Sequence, residues 1–158
     1  MDSINDQGSI KPIFYLDLKG KITPLQIRIA TKLSELGIPM IPISPEDFIK
    51  IQQNQNTSFV ISLCNDFNSY KNFLLLRRRF LDMALVSGKI SLLDVSSFGP
   101  IFLTNQIRNN SRYRHLSLPI SLNEMMRELL MWYTNYQEKV QQWPGGKRAR
   151  LPNGDEQQ

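Results

Sequence analysis

The stretch YRHLSLPISLNEMMRELL, from Tyr113 to Leu130, sets a strand, a turn and a helix in immediate succession. Tyr113 to Leu118 reads as a short strand. Ser121-Leu122-Asn123-Glu124 is a capping box, in which the Ser and Glu side chains satisfy each other's backbone donors at a helix start. Leu122, Met125, Met126, Leu129, Leu130 and Tyr133 then recur with helical spacing and give the helix a broad apolar face. It ends near Tyr136 or continues to Gln142, since the polar section after Tyr136 offers no cap.

The same grammar runs upstream. Pro12 to Leu18 (PIFYLDL) is a β-prone run, and Thr23 as N-cap, Pro24 at the first helical position and Gly37 past the end delimit a helix with apolar positions at Leu25, Ile29, Leu33 and Leu36. Ile38 to Ile43 (IPMIPI) is a second strand, placed at a sheet edge because Pro39 and Pro42 each remove a ladder donor. Ser44-Pro45-Glu46-Asp47 opens a short helix through about Gln53. Ser58 to Leu63 (SFVISL) follows as a central strand. A long helix is expected from Ser69 to about Ser87, on Phe73, Leu76, Phe80, Leu81, Ala84 and Leu85, with Gly88 as its C-cap. Ile90 to Val95 (ISLLDV) is the fourth strand, and a helix follows over about Ile101 to Asn109. Alternating strands and helices with short connections imply a parallel sheet covered on both faces. The expectation is a three-layer α/β/α sandwich around a five-stranded parallel sheet, with the flavodoxin-like order 2-1-3-4-5 by fold analogy. It comprises a flexible N-terminus at 1–10, one domain at 11–142 and a flexible basic tail at 143–158.

Composition narrows the function. At 158 residues the chain fits one domain and a tail. Its one cysteine, Cys64, cannot form an internal disulfide, and no Cys/His cluster supplies zinc ligands, so a reducing, cytoplasmic setting is expected. Met1 to Lys11 is polar and carries Asp2 and Asp6 where a secretory signal needs a basic start and an apolar run. No apolar stretch approaches the roughly 20 residues of a membrane span, so membrane insertion is not expected. The net charge of +5 permits contact with nucleic acid or an acidic surface without requiring it.

The five-fold pattern and the segment Tyr113 to Leu130 resemble the receiver domain of bacterial response regulators, over roughly Lys11 to Trp132. Leu118-Pro119-Ile120-Ser121-Leu122 is similar to the family's Lys-Pro-Phe turn between last strand and last helix. A receiver holds magnesium on acidic residues after the first strand, accepts phosphate on an Asp ending the third, and contacts the phosphoryl oxygens with a Ser/Thr ending the fourth and a Lys ending the fifth. In this chain the resemblance places Asp17 at one acidic position, while Leu18 supplies no second carboxylate. The acceptor position falls at Ser62 or Leu63, with Asp66 substituting only from a shifted loop. Ser96 or Ser97 stands for the hydroxyl, and Leu118 replaces the lysine. The departures strike the chemistry and spare the scaffold. The resemblance therefore implies a pseudo-receiver with no catalytic residues, metal or cofactor, acting as an adaptor for a protein partner in bacterial signalling or localisation. Its binding face would comprise Arg108, Arg112, Tyr113, Arg114, Met126 and Trp132, arginines mixed with large apolar groups. On this reading Arg112→Ala with Tyr113→Ala leaves folding intact. Met131, Trp132, Tyr133 and Tyr136 make homodimerisation through the same face a variant.

Other residues have plainer readings. Asp17 caps a loop or pairs with Lys19 or Lys21, with a residual cation site at the strand end as the alternative. Arg77, Arg78 and Arg79 fan around a helix, with Asp82 placed to neutralise Arg78 or Arg79. His115 lacks an assignable carboxylate or nucleophile, and Cys64 is a buried apolar-type thiol. No GxGxxG or GxxxxGK[ST] pattern occurs. Lys147, Arg148 and Arg150 form a basic tail that spaces, solubilises or contacts an acidic partner. Two rival functions stand beside the adaptor: a nucleic-acid binder using Arg77 to Arg79, Arg108 to Arg114 and the tail, and a small enzyme of flavodoxin-like architecture.

Overall fold

The computed structural model describes residues 10–53, 57–99 and 104–145. β1 (Ile13–Leu16) leads to α1 (Pro24–Glu35), β2 (Met40–Ile43), α2 (Pro45–Gln52) and β3 (Ser58–Cys64). The chain continues through α3 (Phe67–Leu76), a π-helical turn (Arg77–Leu81), α4 (Asp82–Val86), β4 (Ile90–Ser96), α5 (Asn105–Arg108), β5 (Tyr113–Ser117) and α6 (Leu122–Gly145). The five strands form one sheet in the order β2-β1-β3-β4-β5, every pair parallel, as the alternation implied. The expected basic tail residues Lys147, Arg148 and Arg150 lie outside the described residues, as do 1–9 and the start of the helix placed at 101–109. α6 runs past Gln142 to Gly145.

Local signals set most boundaries. Thr23 accepts a hydrogen bond from the Gln26 backbone N–H at 3.2 Å, Pro24 opens α1, and Gly37 leaves it at φ 79°. Ser44 caps α2 through the N–H of Asp47 at 3.1 Å. At α6 the Ser121 hydroxyl accepts from the N–H of Glu124 at 3.1 Å, while the Glu124 carboxylate lies 3.9 Å from Arg127. The rod after β3 starts earlier than Ser69, because Asp66 is its N-cap and takes the Ser69 N–H at 2.8 Å.

Alternation along the strands divides the core in two. Phe59, Ile61, Leu63, Leu93, Val95 and Leu116 pack under α1 and α6, against Ile29, Leu33, Met125, Leu129, Trp132 and Tyr133. Phe14, Leu16, Val60, Cys64 and Leu92 face the other layer, where α2, the α3–α4 rod and α5 contribute Phe48, Phe73, Leu81, Leu85 and Ile107. β3 and β4 are buried along their whole length on both faces, which is why they read as largely apolar runs interrupted only by small hydroxyls and Asp94.

The long helix expected from Ser69 to Ser87 is not uniform. Its middle turn is wound one residue wider than an α-helix, and this brings residues five apart into register. Arg77, 6% exposed, therefore meets Asp82 rather than leaving it to Arg78 or Arg79. The Arg77 Nε donates to Asp82 Oδ1 at 2.9 Å and its Nη2 to Oδ2 at 3.2 Å, a bidentate pair. Arg78 and Arg79 stay exposed, so the three arginines do not form one surface.

Candidate functional site

The loops after β1, β3, β4 and β5 converge at the carboxyl end of the sheet, the usual ligand side of doubly wound folds. They border a shallow, open crevice whose lining includes Leu25, Leu63, Leu118 and Ile120, with Thr23, Asn65 and Ser97 as its polar residues. Of the positions that the receiver resemblance singled out, Leu63, Ser97 and Leu118 line it. None of the described residues that line it is charged. Leu118 donates its backbone N–H to Ser96 O at 2.9 Å and precedes a cis bond to Pro119.

The four positions derived from the resemblance are dispersed. Asp17 is exposed and accepts the N–H of Lys19 at 3.1 Å, a local turn in which Lys19 takes φ 65°. Ser62 lies wholly within β3 on the α3 side, and its neighbour Leu63 is the one that reaches the crevice. Ser96 is buried, accepts from the N–H of Phe98 at 3.2 Å and sits 3.3 Å from His115 Nε2, leaving Ser97 at the crevice. Asp66 does not stand free as a substitute acceptor. Its carboxylate takes the backbone N–H groups of Ser69 and Lys21, which hold it below the usual carboxylate range. Asn68 and Asn72, one helical turn apart on α3, donate to the carbonyls of Lys19 and Leu18, both at 2.9 Å. Together these bonds stitch the β1–α1 loop to the start of α3. Gly20 permits that approach, since a Cβ there would lie 2.8 Å from Ser69 Cβ.

A polar cluster lies beneath the rod, on the same sheet face as Ser62. Asp94, 4% exposed in the middle of β4, accepts a hydrogen bond from the Tyr113 hydroxyl at 2.6 Å. Its other carboxyl oxygen and the hydroxyl of Ser62, its register partner in β3, have no hydrogen-bond partner among the described residues. Burial drives the Asp94 pKa up, against the opposing pull of the Tyr113 hydrogen bond and the charges of His115 and Arg77. Burial and the nearby Asp94 raise the Tyr113 phenol. Burial likewise raises the Cys64 thiol, which packs in the core on the α3 side of the sheet.

The residues expected to form a partner-binding face divide by depth. Arg108 and Arg114 are exposed, and Arg112, Tyr113 and Met126 are half-buried. Trp132 is 6% exposed and packs edge-on against Phe59, with ring centroids 5.3 Å apart, so it serves the core first. Tyr133 is turned inward too and donates to Lys11 O at 2.6 Å. Tyr113 is tied to Asp94, so replacing it disturbs the interior, contrary to the expectation that Tyr113→Ala is structurally neutral. Arg112, Tyr113, Arg114 and Trp132 nevertheless meet around one cavity of about 320 Å³ between β5, the last strand of the sheet, and α6. Ser91, Glu128 and the exposed Met131 are also in its wall, and Arg114 forms an ion pair with Glu128. The Arg112 guanidinium lies against Gly88, where a Cβ would sit 3.6 Å from Arg112 Cζ. Sequence reasoning missed Asp94, Asn68, Asn72 and Glu128, because nothing in their local pattern announces partners so distant along the chain.

No family model matches the chain. No curated protein matches it. Among solved structures, the chain is similar to a response regulator receiver protein from Burkholderia phymatum, at 13% identity and a TM-score of 0.50. The match covers 78% of this chain and 96% of that one. At this identity the likeness concerns the fold, and it agrees with the strand order seen here. Among the described residues, no helix is long and apolar enough to cross a membrane.

Proposed function

We propose that this chain is a receiver-like interaction module that captures a protein partner through its β5–α6 face and does not work by the receiver's phosphoryl switch. The observation that carries the reading is the composition of the carboxyl-end crevice. Leu63, Leu118 and Ser97 line it, none of its described lining residues brings the carboxylate or ammonium that phosphoryl transfer to an Asp requires, and Asp66 is committed to capping α3. A scaffold that keeps the fold while Leu118 stands at the lysine position and the acceptor position falls at Ser62 or Leu63 is suited to binding rather than to phosphoryl transfer.

The β5–α6 cavity supplies the surface. It combines an aromatic floor, a flexible exposed thioether at Met131 and two guanidinium groups, the residue types enriched at interfaces. The nucleic-acid reading has less support, because Arg77 is buried and paired and cannot contribute to a basic surface.

The test is affinity capture from nuclease-treated bacterial extract at moderate and high salt, with Arg114→Ala/Met131→Ala as the variant, since both side chains are more than half exposed. A protein retained at high salt by the natural chain, and reduced at least about tenfold by the variant, supports the reading. Retention of nucleic acid alone, from extract without nuclease and lost at high salt, refutes it.

A further inference from the structure

We infer that the outer edge of β5 takes up an extended acidic segment of the protein partner as an added strand, with a carboxylate of that segment set against Arg114 and Arg112. The edge belongs to the β5–α6 face proposed above to capture a partner, and the assignment rests on that reading.

The backbone supplies the binding mode. β5 is the last strand of the sheet and pairs with β4 on one side only. In a parallel ladder, alternate residues turn both backbone groups toward the same neighbour. Arg112 O accepts the Leu92 N–H and the Leu118 N–H donates to Ser96 O, both at 2.9 Å, so Arg112, Arg114, Leu116 and Leu118 form the set that faces β4. Tyr113, His115 and Ser117 therefore direct their backbone groups away from the sheet. The Tyr113 N–H turns back to Asn110 O at 3.1 Å, and the N–H groups of His115 and Ser117 continue the outward row. The opposite edge is guarded differently. Pro39 and Pro42 take donors out of the β2 segment, whereas Tyr113 to Leu118 holds no proline.

Charge selects the occupant. Side chains alternate across β5, so Arg112 and Arg114 lie on the α6 side with Leu116, at the β5–α6 cavity. The described residues that line this cavity carry those two guanidinium groups and one carboxylate, Glu128. Glu128 is shared, since Arg114 pairs with it from β5 and Arg127 lies 3.8 Å from it on α6. A strand laid along β5 brings its side chains to cross-strand distance of Arg114, where a carboxylate redresses the excess of positive charge. A second copy of this chain is the poorer occupant, because two β5 edges side by side bring like-charged arginines together. A phosphate backbone would meet the same arginines, yet it has no row of amides to match the edge.

The test presents the full chain to a random peptide display library, and the enriched sequences are synthesised. They should carry an Asp or Glu whose change to the amide weakens binding at least about tenfold. Bound peptide should slow hydrogen exchange at the His115 and Ser117 amides at least about tenfold. Ser117→Pro removes an outward donor at an exposed edge position and leaves the ladder to β4 intact, so the unfolding midpoint should stay near that of the natural chain. The same variant should weaken the peptide at least about tenfold. No enrichment, binding without an acidic requirement, unchanged exchange at both amides, or unchanged affinity in a folded Ser117→Pro chain would each overturn the inference. If Ser117→Pro fails to fold, exchange in the natural chain decides. A dimer of the natural chain that Ser117→Pro dissociates would assign the edge to a second copy and overturn it as well. A captured partner that is lost with Arg114→Ala/Met131→Ala but kept by Ser117→Pro refutes the added strand alone, whereas a partner kept by both variants refutes capture by this face.

Discussion

Replacing Asp94 by Asn should flatten the dependence of stability on pH. Asp94 is 4% exposed, one of its oxygens accepts a hydrogen bond from the Tyr113 hydroxyl at 2.6 Å, and the other has no partner among the described residues. Burial raises its pKa in the folded state; Tyr113, His115 and Arg77 oppose this without overcoming it. The folded protein therefore holds this proton over a pH range in which the unfolded chain has released it. The stability contributed by the proton is fully present below the ordinary carboxylate pKa and is lost as pH rises toward the folded value. One proton changes stability by at most about 1.4 kcal/mol per pH unit, so the natural chain should lose up to that slope relative to Asp94→Asn across the window. The Asn amide oxygen can still accept from Tyr113, which keeps the comparison close to a pure change of titration. Urea unfolding of both chains from pH 4 to pH 8 measures the difference directly. Asp66, whose pKa is shifted the other way, loses its contribution as pH falls and cancels because both chains contain it. Identical pH profiles would refute the reasoning. So would a natural chain that gains on the variant with rising pH, since that would mean Arg77 and His115 hold Asp94 ionised.

Two further outcomes follow from the rod and the loop. Asp82→Ala should destabilise by about 2–4 kcal/mol, because it strips the carboxylate from a buried guanidinium, whereas Arg77→Met should cost about 1 kcal/mol, since Asp82 is a third exposed and can be rehydrated. Denaturant midpoints of the two singles and the double give the coupling, and equal costs for the two singles would contradict the asymmetry. Gly20→Ala should cost about 1–3 kcal/mol through the 2.8 Å approach to Ser69 Cβ, with faster amide exchange at Lys19 and Lys21; unchanged stability would mean the loop is not held by α3.

Much of the scaffold was legible because its signals are local. Thr23-Pro24, Gly37 and Ser121 mark helix ends within a few residues, and SFVISL and ISLLDV are apolar runs of strand length. Pro39 and Pro42 foretold the edge position of β2, which pairs only with β1. The π turn was less visible, although the buried positions step from Leu76 and Arg77 to Leu81, and the pairing of Arg77 with a residue five away follows from that wider step. Asp94 looked like one polar interruption in a strand. Its significance depends on Tyr113 and Arg77 arriving from other elements, which no local pattern encodes. At α6 the apolar face was broad enough that periodicity did not separate Trp132, committed to Phe59, from the exposed Met131. The resemblance brought Leu63, Ser97 and Leu118 to the carboxyl end of the sheet as receiver positions, but their meeting with Leu25 and Ile120 required the fold.

The most direct test of the interaction-module account is affinity capture from nuclease-treated extract with and without acetyl phosphate and magnesium, with intact mass measured on the recovered chain. The account predicts the same protein partner in the same amount under both conditions, an unmodified chain, and loss of that partner with Arg114→Ala/Met131→Ala. Capture that appears only with the phosphodonor, together with a phosphoryl group on Asp17 or Asp66, would contradict it.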